Sequence, residues 1–391
     1  YYMTSFPPAL VLKGSFGLSP KGRQLRNVLI GIQFVASFGL IIGATFMYLQ
    51  NYYMQNTPLG YDKDEIIITN MNNNIRKSRD AFASQVKSFS GIEEVTYAEM
   101  LLSSQDQYMG WGRKYRDKDI QFQCLPVEPS FLKVMNVKIS EGRDFREEDK
   151  AKRYGTFVFN ERARTEYGLE IGSLIDSMEI VGFMPDVKFA SFRTEVTPMA
   201  FFVWGTNNWG NQPNYAYIKV KAGSDLRGAM QHVKTTLQSF DPEYPFNVRF
   251  FDEVLNGLYE KERSLSSLIT LFSLIAIFIS VVGVFGLVVF DSEYRKKEIG
   301  IRKVLGSTTE EIIVMFNKTY IRILCVCFVL GAPIAGYVVH RWLENFAYKT
   351  PMYWWVYLIA FAIIAVITIL TVTFQNWRAA NENPVHSIKN E

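Results

Sequence analysis

The sequence predicts a membrane protein: an α-helical four-span transmembrane domain plus an extracytoplasmic α+β domain on a helical stalk. Three observations predict it. Four apolar runs, Val28–Leu49, Leu265–Phe290, Ile323–Val339 and Tyr353–Phe374, contain no Asp, Glu, Lys or Arg, and about 20 apolar residues suffice to cross a bilayer as a helix. A polar stretch of about 200 residues separates the first run from the second, ample to bury a core of its own. Cations gather beside the spans: Lys13, Lys21, Arg23 and Arg26 precede the first, and Arg295, Lys296, Lys297, Arg302 and Lys303 follow the second. Positive flanks are retained in the cytoplasm, so both flanks lie inside and the polar stretch lies outside. An even number of spans returns Gln375–Glu391 to the cytoplasm.

Taken in order, residues 1–27 read as a cytoplasmic juxtamembrane segment. Tyr1–Leu12, lacking an initiator Met, reads as the continuation of a longer chain. Residues 28–57 form the first span and a stalk helix that Pro58 and Gly60 end. Residues 58–251 are the outer domain. Within it, Glu65–Thr69, Ser78–Phe89 and Glu94–Tyr97 read as strand, helix and strand, and Tyr215–Val220, Asp225–Phe240 and Asn247–Phe251 repeat the order. Two such pieces, 58–118 and 213–251, make one split-βαβ lobe. Between them, 119–212 carries short alternating strands at Asp119–Leu125, Thr156–Phe159, Met178–Phe183 and Met199–Val203, and reads as an inserted, mostly-β lobe.

Residues 252–290 read as one continuous helix, capped by Asp252 and running without proline into the second span; at about 1.5 Å per residue it would be nearly 60 Å long. Residues 291–322 are a cytoplasmic segment, 323–340 the third span, 341–352 an outer loop, 353–374 the fourth span and 375–391 a cytoplasmic tail. Gly331 and Pro333 interrupt the third span and Arg322 edges it, which membrane helices tolerate where neighbours satisfy the freed backbone groups. Tyr48, Tyr52, Tyr53, Tyr353, Trp354, Trp355 and Trp377 lie where interfacial belts form.

Composition narrows the chemistry. The net charge is only +4 over 391 residues, which gives no support to a nucleic-acid partner. Cys124 stands alone in the outer domain, with Cys325 and Cys327 in the third span, so the outer domain relies on its core and not on a disulfide. There is no G-x-x-x-x-G-K-[ST] loop and no G-x-S-x-G elbow. His232, His340 and His386 are scattered, and Asp62, Asp64 and Glu65 lack the spacing of a calcium loop. The apolar runs hold Gln33, Ser37, Thr45, Ser280 and Thr368 but no Asp, Glu, Lys or Arg; uncharged polar residues of this kind join helices, and Gly39-x-x-x-Gly43 permits close helix approach.

The cationic run invites two readings. Charges beside a span anchor topology. Here, however, Glu298, Ile299, Gly300 and Ile301 interleave the cations, and Gly306-Ser307 precedes Thr308-Thr-Glu-Glu311, an N-terminal helix signature. A helix, a glycine break and an amphipathic helix leading into the third span would form a surface built to touch something in the cytoplasm.

These residues carry a resemblance. Glu293-Tyr-Arg-Lys-Lys-Glu-Ile-Gly-Ile-Arg-Lys-Val-Leu-Gly-Ser307 resembles the R-x-x-E-I-G-I-R-[K/M]-A-x-G-A signature of MacB/FtsX-like ABC transporter permeases, and Asn383-Pro-Val-His-Ser-Ile-Lys-Asn-Glu391 resembles their C-terminal ending. Leu10-Val-Leu-Lys-Gly14 through Leu25-Arg26 looks like the second half of a duplicated eight-span permease of the Bacteroidetes type. The resemblance spans the whole chain, with Val304 and Ser307 replacing the common alanines and Lys296-Lys297 adding charge.

It implies a non-catalytic subunit of a bacterial inner membrane, with no cofactor of its own and ATP bound by a separate ABC ATPase subunit. Glu293, Arg295, Lys296, Lys297, Glu298, Ile299, Gly300, Ile301, Arg302, Lys303 and Gly306 would form the ATPase-coupling surface. ATPase dimerisation would drive the outer domain by mechanotransmission, expelling a peptide, toxin or lipophilic substrate. The outer domain would be a MacB-like periplasmic domain with a porter-like and an inserted lobe. Implied partners are the other permease half or a second copy, membrane lipid, and a periplasmic adaptor, outer-membrane protein or hydrolase. The alternatives are a membrane-anchored ligand sensor and a cell-wall-hydrolase or lipoprotein-release regulator of the same fold.

Overall fold

The computed structural model describes residues 20–103, 109–208, 212–294, 298, 301–302 and 305–380. In chain order its elements begin with α1 (Pro20–Asn56), β1 (Ile66–Asn70), α2 (Asn73–Lys77), α3 (Arg79–Lys87), β2 (Ile92–Ala98), β3 (Met109–Tyr115) and β4 (Lys118–Pro126). There follow α4 (Phe131–Val134), β5 (Glu141–Gly142), a 3-10 turn (Glu147–Ala151), β6 (Thr156–Asn160), α5 (Glu161–Tyr167), β7 (Leu174–Ile175), β8 (Met178–Met184) and β9 (Met199–Val203). The last are β10 (Tyr215–Val220), α6 (Leu226–Phe240), β11 (Arg249–Phe250), α7 (Phe251–Leu258), α8 (Glu260–Tyr294), α9 (Thr309–Leu343) and α10 (Trp354–Ala380). They form two compact units, one within Tyr1–Gln55, Glu262–Asn345 and Lys349–Glu391, the other comprising Asn56–Lys261 with Phe346–Tyr348.

The first unit is helical. Among the described residues four helices are long and apolar enough to cross a membrane: Asn27–Asn56, Glu262–Asp291, Thr309–Leu343 and Trp354–Trp377. The third is longer than its apolar run. Pro333 lies on the exposed side of α9, while Gly331, Ala332 and Ala335 pack inward, so the helix continues through the proline. In α1, Phe34, Phe38, Ile42 and Phe46 recur every four residues and are buried on one face. Phe38 meets Phe328 edge-on at 5.2 Å between ring centroids and stacks at 6.3 Å on Phe361. Ser37 and Ser280 hydrogen-bond at 2.8 Å, joining α1 to α8 as uncharged polar residues do in membranes.

Close helix approach occurs elsewhere than Gly39 and Gly43. A Cβ at either would meet nothing within 4 Å. Both lie one residue past the buried Phe38 and Ile42. Gly331 brings α9 against the α1 backbone, where a Cβ would lie 3.4 Å from the Val35 Cα, and Cβ atoms at Gly283 and Gly336 would meet Gln33 Oε1 at 2.5 Å and the Tyr357 hydroxyl at 2.8 Å.

The second unit contains two sheets among the described residues. The first has the order β11-β1-β10-β2 and is antiparallel throughout. Phe82 and Val86 of α3 and Ala229, Val233 and Leu237 of α6 cover one face. The second sheet has the order β3-β4-β9-β6-β8-β5, with β7 beside β8; β4 with β9 and β6 with β8 are parallel. Its central strands β9 and β6 do not alternate apolar with polar. Every residue of β6 and β9 is buried, because successive residues enter two different cores. Met199, Phe201 and Val203 join the core shared with β1 and α4, whereas Ala200 and Phe202 join Trp111, Phe122 and Phe157 in an aromatic core. A strand buried on both faces reads as a continuous apolar run.

The two sheets are stitched at one point. Ala98 at the end of β2 bridges to Val127 just past β4, Glu99 N donates to Pro126 O at 3.0 Å, and Glu128 N donates to Tyr97 O at 2.9 Å.

The predicted continuous helix of 252–290 is interrupted. α7 starts at Phe251, with Phe250 and not Asp252 at its N-cap, and stops at Leu258; Tyr259 (φ −114°, ψ 15°) leaves helical geometry before α8 starts. The cause is packing. Phe251 is fully buried against Tyr61 and Tyr217, while the Tyr259 hydroxyl accepts the Phe192 N–H at 3.0 Å. Phe192 also meets Tyr348 at 5.9 Å, so the loop between α9 and α10 contributes a ring to this unit.

Asp149 anchors the 3-10 turn. Burial would raise its carboxyl, but the Arg143 fork at 2.8 Å to each oxygen, the Arg146 N–H at 2.8 Å and Lys152 outweigh that and hold it at about 2. Its folded value lies below the ordinary 3.8, so the stabilisation is complete above that value and is lost as pH falls from about 4 to about 2. Asp149→Asn should destabilise this unit by on the order of 2 kcal/mol at pH 7. It should also flatten the fall of the thermal midpoint between those pH values; an unchanged acid profile would contradict this account.

Candidate functional site

The candidate site is the cytoplasmic elbow joining α8 to α9. Glu293 lies in the last turn of α8. Glu298, Ile301 and Arg302 are helical; Arg295, Lys296, Lys297, Ile299, Gly300 and Lys303 lie outside the described residues. Gly306 follows in a turn, and its φ of +95° is open to glycine and strained for side chains. Leu305 N donates to Ile301 O at 3.0 Å and Ser307 N to Arg302 O at 2.9 Å, so the turn satisfies the last carbonyls as a glycine C-cap does. The next helix starts at once. Thr308 Oγ1 accepts the Glu311 N–H at 3.3 Å while Glu311 Oε2 accepts the Thr308 N–H at 3.1 Å, a reciprocal capping box.

This elbow shows two faces to the outside. Arg302 pairs with Glu298 four residues earlier at 2.9 Å, both side chains being largely exposed. Ile301 is 58% exposed and Leu305 80% exposed, again four residues apart. Two exposed apolar side chains thus stand beside an exposed charge pair.

Beneath the elbow, α9 buries Ile312, Phe316, Tyr320 and Leu324 at every fourth position. The Tyr320 hydroxyl donates to Asp291 Oδ2 at 3.2 Å, with Tyr320 1% and Asp291 6% exposed, tying the end of α8 to α9 on the far side of the elbow. Asn317 Nδ2 donates to Thr373 Oγ1 at 3.0 Å and ties α9 to α10. Sequence reasoning passed over both contacts. The available signal was an Asp immediately after an apolar run, which reads equally as a solvated span end.

A four-span helical unit with an extracytoplasmic α+β domain and a capped cytoplasmic elbow is the layout of a transporter permease subunit. The MacB-like periplasmic core domain model matches residues 28–236, more than half of the chain, and the FtsX-like permease C-terminal model matches residues 270–384. The chain belongs to the MacB/FtsX-like family of ABC transporter permeases. The macrolide export ATP-binding/permease protein MacB of Chromobacterium violaceum is 23% identical over 230 residues, covering 56% of this chain and 35% of that protein. The MacB of Escherichia coli is 23% identical over 233 residues with the same two coverages. The chain therefore spans about a third of the length of these relatives. Among solved structures, the periplasmic region of MacB from Actinobacillus actinomycetemcomitans is similar with a TM-score of 0.37 at 14% identity, covering 51% of this chain and 94% of that one.

Tyr320→Phe should lower the stability of the helical unit by about 1.5–3 kcal/mol, the range for a hydrogen bond to a charged group. Thermal unfolding followed by helical circular dichroism in detergent would read it, and an unchanged midpoint would remove this contact from the account of the elbow.

Proposed function

We propose that this chain couples dimerisation of cytoplasmic ATPases, carried on a separate nucleotide-binding subunit that binds the ATP, to movement of its extracytoplasmic domain. The membrane is the bacterial inner membrane, and the outcome is export of a peptide, toxin or lipophilic substrate by mechanotransmission. The observation that carries this reading is the elbow: a capped helix showing Ile301, Leu305, Glu298 and Arg302 outward between two spans. A surface anchor needs charge alone, whereas this segment adds an ordered apolar pair and two defined caps.

The stroke passes into α8 and α9, which Asp291 and Tyr320 hold together. Both α1 and α8 continue by direct chain connection into the extracytoplasmic unit. The basic residues Arg295, Lys296, Lys297 and Lys303 add cationic contacts with the ATPase, with Glu293, Ile299, Gly300 and Gly306 shaping the segment. Gly39 and Gly43, with nothing within 4 Å, leave a shallow strip for the other permease half or a second copy.

Glu298→Arg combined with Arg302→Glu keeps an ion pair four residues apart within the helix and reverses the charges shown to a partner. Permease-stimulated ATP turnover in reconstituted membranes should fall at least about tenfold, equivalent to about 1.4 kcal/mol of lost coupling. Membrane insertion should be unaffected. Ile301→Asp with Leu305→Asp should abolish co-purification with the ATPase. Undiminished turnover and undiminished co-purification would together refute the coupling role.

A further inference from the structure

A cleft of about 300 Å³ opens in the extracytoplasmic unit beside the stitch between its two sheets. That volume is at the lower end of small-molecule sites. Its walls come from the end of β2, the chain after β4, the start of α3, the 3-10 turn and the segment after β9. Trp204 is fixed there by edge and tilted contacts with Phe202 at 4.9 Å and Trp111 at 5.7 Å. Its indole Nε1–H donates to Glu99 Oε1 at 2.6 Å.

The charges in the cleft are unequally matched. Glu128 engages both cations, Arg79 at 2.5 Å and Lys150 at 2.6 Å. Arg79 is further held over the Tyr97 ring at 5.8 Å. Glu99 receives the Trp204 N–H, and among the described residues no Lys or Arg forms an ion pair with it. An ionised carboxylate has about four acceptor sites, so one indole N–H leaves most of its capacity open to the cleft. Burial pushes the Glu99 carboxyl above its ordinary range, against the pull of the indole. The site thus favours anything that supplies positive charge to that carboxylate. The Trp204 indole adds attraction for the same kind of ligand, since the negative face of an indole ring attracts cations.

We propose that this cleft binds a small organic ammonium compound carrying an apolar or aromatic body, with Glu99 as its counter-ion and the ring of Trp204 lining its body. The ammonium N–H groups donate to the Glu99 carboxylate, and the body fills the apolar remainder of the cleft near Val127 and Val203. The site lies wholly within the extracytoplasmic unit. It stands apart from the coupling role, because binding is read without ATP or any partner chain.

The test uses the full chain in nanodiscs of zwitterionic lipid, titrated calorimetrically with phenethylamine, 2-phenylethanol and phenylacetate. Phenethylamine should bind saturably and at least about tenfold more tightly than either uncharged or anionic counterpart, equivalent to about 1.4 kcal/mol. Glu99→Gln keeps an acceptor for the Trp204 indole and should weaken phenethylamine binding by a similar factor while leaving phenylethanol unchanged. The wild-type comparison of the three probes requires no variant, so a misfolded mutant would not shield the proposal. Phenethylamine that does not bind saturably, binds no better than phenylethanol, or binds Glu99→Gln undiminished would overturn it.

Discussion

The constraint from which this structure follows is that backbone amides and carbonyls in lipid must find partners within the chain. It makes each apolar run a helix, and it forces every departure from helix to the ends. Gly306 and Thr308 show the result: a left-handed glycine and a reciprocal threonine–glutamate cap finish one helix and start the next. The same constraint explains why α9 runs through Pro333. A freed carbonyl costs less than a break, provided the proline ring points away from the packed face.

Packing then decides what the helices can transmit. Water is not there to drive helices together, so association rests on contact and on shared polar groups. Phe38, set among Phe328 and Phe361, and the Ser37–Ser280 hydrogen bond supply both in the helical unit. Asp291 and Tyr320 close the base of the elbow, where a buried carboxylate makes the pairing costly to break. The exposed apolar and charged residues of the elbow therefore stand above a packed base.

The extracytoplasmic unit solves a different problem, that of two sheets sharing one chain. The strands β6 and β9 send successive side chains into separate cores, which makes the second sheet the divider between them. Two backbone hydrogen bonds flanking the Ala98–Val127 bridge stitch the sheets. The cleft with Glu99 and Trp204 lies beside that stitch because the two sheets, each already filled on its own faces, leave unfilled space where they meet.

The four spans, the α+β character of the outer domain and the chemical composition of the elbow were legible in the sequence, because each is a local property: apolar length, strand and helix period, charge order and capping residues. Other features were not local. The break at Tyr259 comes from a hydroxyl bonded to Phe192, 67 positions away in the chain. Whether a glycine meets a neighbouring helix, as Gly331 meets Val35 and Gly39 meets nothing within 4 Å, depends on how the packed helices are rotated against one another. The partnership of Asp291 with Tyr320, and of Glu99 with Trp204, joins residues whose spacing along the chain says nothing of their meeting. The sequence alone determined which segments are apolar enough to span a bilayer and which carry strand or helix period, since those follow from short-range solvation and backbone hydrogen bonding. Tertiary structure decided which side chains are shared between segments, since that depends on the relative rotation of packed helices and sheets, a quantity that no single segment encodes.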